Sequence, residues 1–490
     1  MLRTSPILLT FALLLAGCSV GPTFEPPTPA LPKQWEAPRA EAAFDNTFAD
    51  AEIDARWWEQ FGDPLLVELV ERAHDANMDI RLAVLRVAQS RAQREIVSGN
   101  KSPNVAASGS YQRQRQSEFG TGTRLIDIIG PPGGDRDAII EALGEPYDVY
   151  QIGFDASWEL DLWGRVRRAV ESADASVAAS AEDLHAARLA VAAEVARTYL
   201  ELRGVQDQLR IAQADRAVTE DALELTQFRS EGGVVTQLDV VSQRARLADA
   251  RARVPRLQQQ ERVLINVLGL LLGEEPGSLR ARLAKRQPSP ELPDSVALGI
   301  PTELARRRPD IRGAEARLHA ATADMGVAVA DLYPRITLTG GFLSESLEAG
   351  DLSEWGARQW AVGPSLHLPI FDGGRRRAVV ELREIQQQEA AVNYQRTVLH
   401  AWHEIDNALS GYLAERRRNE ELRAAVEASG EAHDIASVQY EHGLTNFLVA
   451  LDAQRTMLQA ERALSDSNTL IATQLVAIYK ALGGGWEDAP

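Results

Sequence analysis

Apolar and small residues recurring at alternating spacings of four and three predict very long helices. Gly164 to about Glu231 contains no proline, and its residues 166–212 carry this spacing with one slip, as in a coiled-coil seam. At about 1.5 Å per residue the helix would reach roughly 100 Å, far beyond a typical globular helix. An ordinary bundle core explains the seam equally well, but it does not explain the length. The helix after Gly233 contains Pro255, which should bend it and break its hydrogen-bond ladder.

Four shorter segments alternate apolar and polar residues, as strands do. They comprise residues 104–111, 150–160, 334–342 and 360–371. In the second segment Tyr150, Phe154 and Trp158 share one face, whereas Gln151 and Asp155 share the other. A soluble antiparallel sheet with one wet face has the same pattern. The segments alone therefore leave a soluble and a membrane-embedded sheet open.

The chain contains an internal duplication. Residues 79–81 (Asp-Ile-Arg) recur at 310–312, which is 231 positions later, and residues 164–165 (Gly-Arg) recur at 374–375, which is 210 positions later. The first half thus holds about 21 extra residues (231 minus 210), and the Gly/Pro-rich stretch near 117–148 is a loop that accommodates them. We expect each half to contain one short helix, two strands and two very long helices.

These patterns set the domain boundaries that we expect. They are a signal segment at 1–17, a Pro/Ala-rich tether at 18–56, a first repeat at 57–273, a Pro-rich linker at 274–300, a second repeat at 301–482 and a tail at 483–490.

The N-terminus resembles that of an exported lipoprotein. An apolar run at 7–16 follows Arg3, and about ten apolar residues are too few to span a bilayer, which takes about 20. Residues 15–18 (Leu-Ala-Gly-Cys) resemble the lipobox of bacterial lipoproteins, whose thiol is acylated. Ser19 follows, where Asp would resemble an inner-membrane retention signal. The resemblance implies an outer-membrane anchor on Cys18; a buried or incidental cysteine is the alternative.

The anchor favours a membrane interpretation of the strands. Strands of about 9 to 11 residues with aromatic residues near their ends fit a transmembrane barrel with a wet lumen. Four strands cannot close a barrel, because an open edge in lipid leaves backbone groups unpaired. About eight strands is the usual minimum, so several chains must share one barrel. The residues alone require a dimer or a larger assembly and do not choose between them.

Composition and motifs argue against nucleic acid and catalysis. The net charge is −18, whereas a phosphate-binding surface needs a dominant basic patch. None of the four lysines follows a glycine, so there is no Gly-Lys phosphate loop, and no Gly-x-Ser-x-Gly elbow is present. His400 and His403 share a helical face without an evident third ligand. A solvated helix surface and a metal site are the two interpretations of this histidine pair.

Two hairpin turns carry the strongest motifs. In FRSEGGVVTQLDVV and QYEHGLTNFLVALDAQR a glycine ends one long helix and a Thr or Asn begins the next. Together with LAGCSVGP, FGDPLL and YKALGGGW, these stretches resemble the outer membrane factors of tripartite efflux pumps, the TolC-like, NodT-type outer-membrane efflux lipoproteins. The resemblance covers nearly the whole mature chain. It implies an α+β membrane protein, a trimer with four strands per protomer in a shared twelve-stranded outer-membrane β-barrel, continued by a periplasmic α-helical coiled-coil barrel.

The resemblance also implies roles for residues at the turns. Leu448 and Asp452 match constricting residues that form an apolar ring and an acidic ring, with an ordinary exposed Asp as the alternative for Asp452. Three carboxylates near one axis repel one another, so at least one would protonate more readily or bind a cation. The residues that match the region contacted by the adaptor are Gly232, Gly233, Val234, Gly443 and Leu444. The extra loop around Gly130 to Asp135 would be extracellular.

The expected function is that of a passive exit channel in the outer membrane, extending into the periplasm. Its partners would be two further copies, a periplasmic adaptor, an inner-membrane efflux transporter of RND type and outer-membrane lipid, but not nucleic acid. We expect no catalysis, no metal and no cofactor beyond the covalent lipid on Cys18. The alternative is a non-channel periplasmic coiled-coil scaffold lipoprotein, which would leave Trp158 and Trp360 unexplained.

Overall fold

The computed structural model describes residues 19–28, 54–120, 136–288 and 307–484, together with 48–49, 290, 293 and 296–297. The principal helices of this part of the chain are α1 (Pro64–Ala76), α2 (Met78–Ser98), α3 (Arg136–Gly144), α4 (Arg165–Glu231), α5 (Gln237–Leu271), α6 (Pro309–Ala330), α7 (Arg375–Glu441) and α8 (Phe447–Ala481). Helices α4 and α7 have 67 residues each, and α5 and α8 have 35 each. The paired long and shorter helices thus repeat with equal lengths in the two halves, as the duplication predicts.

Four strands form one antiparallel sheet. They are β1 (Asn104–Gln114), β2 (Tyr147–Leu160), β3 (Arg335–Ser346) and β4 (Arg358–His367). Their order is β1-β2-β3-β4, so β1 and β4 are its edges. Each strand covers most of the corresponding segment predicted from alternation. Elsewhere Phe48–Ala49 pairs in parallel with Val296–Ala297.

The chain divides into two compact units. The sheet unit takes its described residues from 1–25, 91–176 and 318–389, and the helical unit takes its described residues from 26–90, 177–317 and 390–490. None of the described helices combines the length and the apolar character that crossing a membrane requires.

The apolar face of the sheet is uncovered in the single chain. Phe154 lies opposite Ala107 on one side and Phe342 on the other, and Phe342 lies opposite Trp360, so apolar side chains form a row across all four strands. Trp360 is 75% exposed, and Phe154 and Phe342 are also exposed. A soluble sheet with one wet face would bury this row. The exposed row therefore disfavours the soluble interpretation.

The first described residues of the chain pack within the sheet unit. The Val20 amide donates to the carbonyl of Trp163 (3.1 Å), and the Phe24 ring stacks on His319 with centroids 4.3 Å apart. Gly21 has a φ of +86°, and a Cβ there would lie 2.8 Å from the Cα of Gly326. The segment is therefore fitted closely against α6.

The core of the helical unit forms around Trp57. Its ring stacks on Tyr479 at 5.2 Å, and its Nε1 donates to the carbonyl of Gly484 (3.1 Å). Fully buried residues of α1, α4 and α8 complete this core, including Leu66, Leu202 and Leu475. Burying such side chains stabilises the unit by about 1.5–3 kcal/mol each.

Residues 57–98, at the start of the first repeat, form more than the one short helix that we expect there. A 3-10 turn at Trp57–Phe61 precedes α1, and Asn77 separates α1 from α2. Asn77 has extended backbone (ψ 132°), and its Oδ1 accepts from the amides of Asp79 (2.9 Å) and Ile80 (3.2 Å). The side chain thus caps α2 and ends α1, because it satisfies amides that a continuous helix would bond internally.

Two further expectations need correction. Helix α5 runs from Gln237 to Leu271 with Pro255 inside it, so the proline does not interrupt the helix. Pro255 removes one backbone donor, and the acceptor it would have served belongs to Arg251, which is exposed to solvent. The stretch near 117–148 is not entirely loop, because Arg136–Gly144 forms α3. Its glycines and prolines at 130–134 lie outside the described residues, and the good helix formers follow them.

Candidate gate and helix tips

The first tip, residues 232–236, reverses the chain between α4 and α5. Gly233 has a φ of +74°, and the Val234 amide donates to the carbonyl of Arg229 (2.9 Å), closing the end of α4. Thr236 then begins α5: its Oγ1 accepts from the Asp239 amide (3.4 Å), and the Asp239 carboxylate accepts from the Thr236 amide (2.8 Å). This is a complete capping box.

The second tip, residues 442–446, reverses the chain between α7 and α8 in the same way. Gly443 has a φ of +70°, and the Leu444 amide donates to the carbonyl of Gln439 (2.8 Å). Asn446 begins α8, and its side chain accepts from the Val449 amide (3.1 Å). Valine at this third position has no carboxylate to return a bond, so the second tip has a single cap and no capping box.

Aromatic and cationic side chains connect the two tips. The Arg229 guanidinium lies over the Tyr440 ring at 4.9 Å, and Tyr440 contacts Phe447 at 5.2 Å between centroids. The Arg229–Tyr440 contact joins the last turn of α4 to the last turn of α7. The Tyr440–Phe447 contact connects the two helices on either side of the second tip.

Leu448 and Asp452 lie one turn apart at the start of α8, on the same helical face. Leu448 is 58% exposed in the single chain, and the Asp452 side chain is also exposed. Asp452 accepts from Arg455 Nη2 at 2.6 Å along the same helix. Exposed pairs of this kind contribute at most about 1 kcal/mol, so Asp452 keeps its charge available to solvent.

Arg246 on α5 connects the two hairpins close to this acid. Its Nη2 donates to the carbonyl of Leu451 (3.1 Å), between Leu448 and Asp452. Burial, and secondly the charge of Arg455, lower the pKa of Arg246. Sequence reasoning missed both arginines. The LDAQR motif could have indicated Arg455, which is three residues after Asp452, but nothing local indicated Arg246.

A cavity of about 530 Å³ opens between α4, α5 and α8 beside these residues, and arginines line it. Asp215 of α4 is buried there, accepts from Arg462 Nη2 at 2.6 Å and lies 3.7 Å from Arg253. One carboxylate therefore binds arginines from two other helices. This arrangement joins α8 to α4 at a point where Arg246 and Arg455 add further positive charge.

The remaining candidate residues are the lipidation site, the extra loop, the histidine pair and the tip residues. Cys18, Gly130 and Asp135 lie outside the described residues. His403 is exposed on α7, and no group of three potential metal ligands occurs in the described part of the chain. Gly232, Val234 and Leu444 lie at the tips as expected, and Val234 and Leu444 are 75% and 78% exposed.

Comparison with known proteins identifies the family. Residues 69–274 and 300–484 match the family described as Outer membrane efflux protein. Outer membrane protein OprJ of Pseudomonas aeruginosa is 36% identical over 484 residues, covering 98% of this chain and 95% of that protein. Nodulation protein T of Rhizobium leguminosarum bv. trifolii is 30% identical, covering 97% of this chain and 96% of that protein.

Solved structures agree with the sequence relatives. The outer-membrane channel OprN has a TM-score of 0.86 and 35% identity, over 96% of this chain and 100% of that one. The open state of the Neisseria gonorrhoeae MtrE outer membrane channel has a TM-score of 0.79 and 28% identity, over 96% of this chain and 99% of that one. The predicted fold class and the predicted outer-membrane location, extending into the periplasm, are confirmed. The chain belongs to the outer membrane efflux protein family.

Proposed function

We propose that this protein is the exit channel of a tripartite efflux pump, a passive duct for small molecules that an inner-membrane transporter delivers through a periplasmic adaptor. Its family is one of channels and not of enzymes, and we propose no catalytic role. The observation that carries the proposal is the four-stranded sheet whose apolar row is uncovered, linked in sequence to helices of 67 residues.

A homotrimer would complete the sheet. Among the described residues, strands β1 and β4 each pair on one side only, and lipid does not tolerate such open edges. Three copies of a four-stranded sheet supply twelve strands when β4 of each copy pairs with β1 of the next. Closed in this way, the barrel has no edge and exceeds the usual minimum of about eight strands.

The polar face of the sheet would line the duct. Gln151 and Asp155 lie on the face opposite Phe154, because side chains alternate along a strand. Gln151 contacts Ser110 (3.1 Å) on β1 and Glu345 (2.5 Å) on β3, so polar contacts continue across neighbouring strands. A lumen lined by such polar side chains would be hydrated and would not favour any one class of substrate. Selection would then occur in the transporter, for which we propose the RND type.

Leu448 and Asp452 would form the gate, and the tips would contact the adaptor. Both gate residues project from one exposed face at the start of α8, so a trimer would present three of each around its axis. Exposed apolar side chains at the turns, Val234 and Leu444, suit a protein contact surface better than a free end in water. Gly232, Gly233 and Gly443 would allow the partner to approach the backbone closely.

The N-terminus would add a lipid anchor. We propose that residues 1–17 are removed and that Cys18 is acylated. Two or more acyl chains give stable anchoring, whereas one chain is marginal. We also propose the division into a tether at 18–56, repeats at 57–273 and 301–482, a linker at 274–300 and a tail at 483–490.

Single-channel conductance in planar bilayers tests the proposed function. We expect small, flickering currents from the wild-type protein and larger currents from Asp452→Ala and from Leu448→Ala. Leu238→Ala is a matched control, because it occupies the position equivalent to Leu448 at the first tip. Equal currents in all variants would contradict the proposed gate but not the proposed duct. Absence of conductance from a detergent-extracted monomer would contradict the duct and favour the scaffold.

A further inference from the structure

Arginines begin both of the longest helices, but two arginines that are paired with acids in α4 lack such acids in α7. Arg165 donates to both carboxylate oxygens of Glu159 (2.8 and 2.7 Å). Arg167 pairs with Asp161 at 3.3 Å. Both arginines of α4 therefore reach back to the end of strand β2, where their acids lie.

The second repeat keeps these two arginines and loses their two acids, whereas Arg376 between them pairs with Asp372 at 3.6 Å. At the offset of 210 residues Arg165 and Arg167 correspond to Arg375 and Arg377. Glu159 and Asp161 correspond to Pro369 and Phe371, which carry no charge. Arg375 and Arg377 are exposed, and no carboxylate among the described residues pairs with either side chain.

Exposed apolar residues take the place of the lost acids. Ile370 is 94% exposed and Phe371 is 91% exposed, and they follow the apolar residues Leu366 and Leu368 of the strand end, which are also exposed. Three residues, 372–374, separate these apolar side chains from the arginines. Apolar residues followed closely by arginines form an amphipathic boundary, in which the aliphatic parts suit hydrocarbon and the charges suit the headgroup layer. The boundary continues the exposed apolar row of the sheet, which belongs to an outer-membrane protein.

We propose that Arg375 and Arg377 bind the phosphate groups of anionic phospholipids in the periplasmic leaflet of the outer membrane. If their side chains follow those of Arg165 and Arg167, both reach towards the strand end, where Ile370 and Phe371 enter the bilayer. A guanidinium presents donors in a planar fork that matches phosphate oxygens, and it stays charged at all relevant pH values. This lipid site goes beyond the duct, because conduction does not require it.

Thermal unfolding of the purified full-length protein in detergent tests the proposal, with phosphatidylglycerol as the probe and phosphatidylcholine as the reference lipid. We expect phosphatidylglycerol to raise the unfolding temperature of the wild-type protein above its value in phosphatidylcholine. Arg375→Gln/Arg377→Gln should lose this difference, and Arg375→Lys/Arg377→Lys should retain much of it. Arg396→Gln/Arg423→Gln is the matched control, since it removes two exposed arginines from the same helix.

Several outcomes would overturn the lipid site. These are an equal lipid effect in wild type and the Gln double variant, an equal loss in the control, and an equal effect of inorganic phosphate alone. Dissociation of the Gln variant into smaller species on size exclusion, with its lipid response intact, would place the arginines between subunits instead. Conductance separates this proposal from the duct, because we expect the Gln variant to conduct like the wild type.

Discussion

The two helix tips have the same backbone and different chemistry. Each ends a 67-residue helix with a glycine in the left-handed region, Gly233 or Gly443, and each starts a 35-residue helix with a capping side chain. At the offset of 210 residues Leu238 corresponds to Leu448, so the apolar position is kept. Ser242 corresponds to Asp452 and Ala245 to Arg455, so at these two positions only the second tip carries an acid and its ion pair. Duplication therefore preserved the turn, while the charge at the proposed gate is confined to one repeat.

Exchanging the acid between the tips should give the largest effect. Asp452→Ser removes the carboxylate from this position of α8, and we expect a severalfold rise in single-channel conductance because the proposed acidic ring would be lost. The double variant Asp452→Ser/Ser242→Asp should not regain the wild-type current, since residue 242 lies in the first hairpin and not in the second. Recovery of the wild-type current in the exchanged protein would show that the two tips are interchangeable.

Removing the carboxylate of Asp215 should have the next largest effect. Asp215→Asn leaves Arg462 without its buried carboxylate, beside Arg246 in the same cavity, whereas Arg253 keeps its pair with Asp249. We expect a loss of about 3 kcal/mol in the free energy of unfolding, measured by urea denaturation in detergent. Asp221→Asn, at an exposed position of α4, serves as the control and should be neutral. Equal stability of the two variants would contradict a role for Asp215 in holding α8.

Replacing each turn glycine should cost the same at both tips. Gly233→Ala and Gly443→Ala place a Cβ in a left-handed backbone, and neither Cβ would meet another atom within 4 Å. The cost is therefore conformational, about 1–2 kcal/mol. Hydrogen exchange at the Val234 and Leu444 amides measures it, since these amides close the preceding helices. Clearly unequal costs would mean that the two turns are less alike than their dihedral angles indicate.

Transferring the capping box should give the smallest effect. Asp239→Val removes the box from the first tip, and we expect a loss of about 1 kcal/mol and roughly fivefold faster exchange at the start of α5. Val449→Asp should bring a box to the second tip and slow exchange there by a similar factor. Thr236→Ala provides the comparison, because it removes the cap and leaves Asp239 in place. If exchange at the second tip is no slower in the Val449→Asp variant, Phe447 already limits the opening of this tip.

The sequence predicted what depends on local patterns. The absence of proline and the coiled-coil spacing predicted α4 within one residue of its observed start, and alternation predicted the four strands. The joint at Asn77 was missed because one side chain ends one helix and caps the next without a change in apolar spacing. Pro255 was overinterpreted, since tertiary packing keeps a helix that propensity alone would break.

Most of the surroundings of the gate could not be predicted. Asp215, Arg253 and Arg462 come together only because α8, far away in sequence, packs beside the hairpin of α4 and α5. No periodicity marks such a meeting, and each residue alone resembles an ordinary charged position on a helix surface. The gate residues Leu448 and Asp452 were named from family resemblance and remain a prediction.

The packing of residues 19–24 restricts where a lipid on the preceding cysteine could go. Val20 is bonded to Trp163 and Phe24 is stacked on His319, so residues 20–24 are held in the sheet unit. A lipid on Cys18, as proposed, would be attached only two residues before Val20. Its acyl chains would therefore stay close to the sheet unit of their own protomer, as permanent, covalently supplied neighbours.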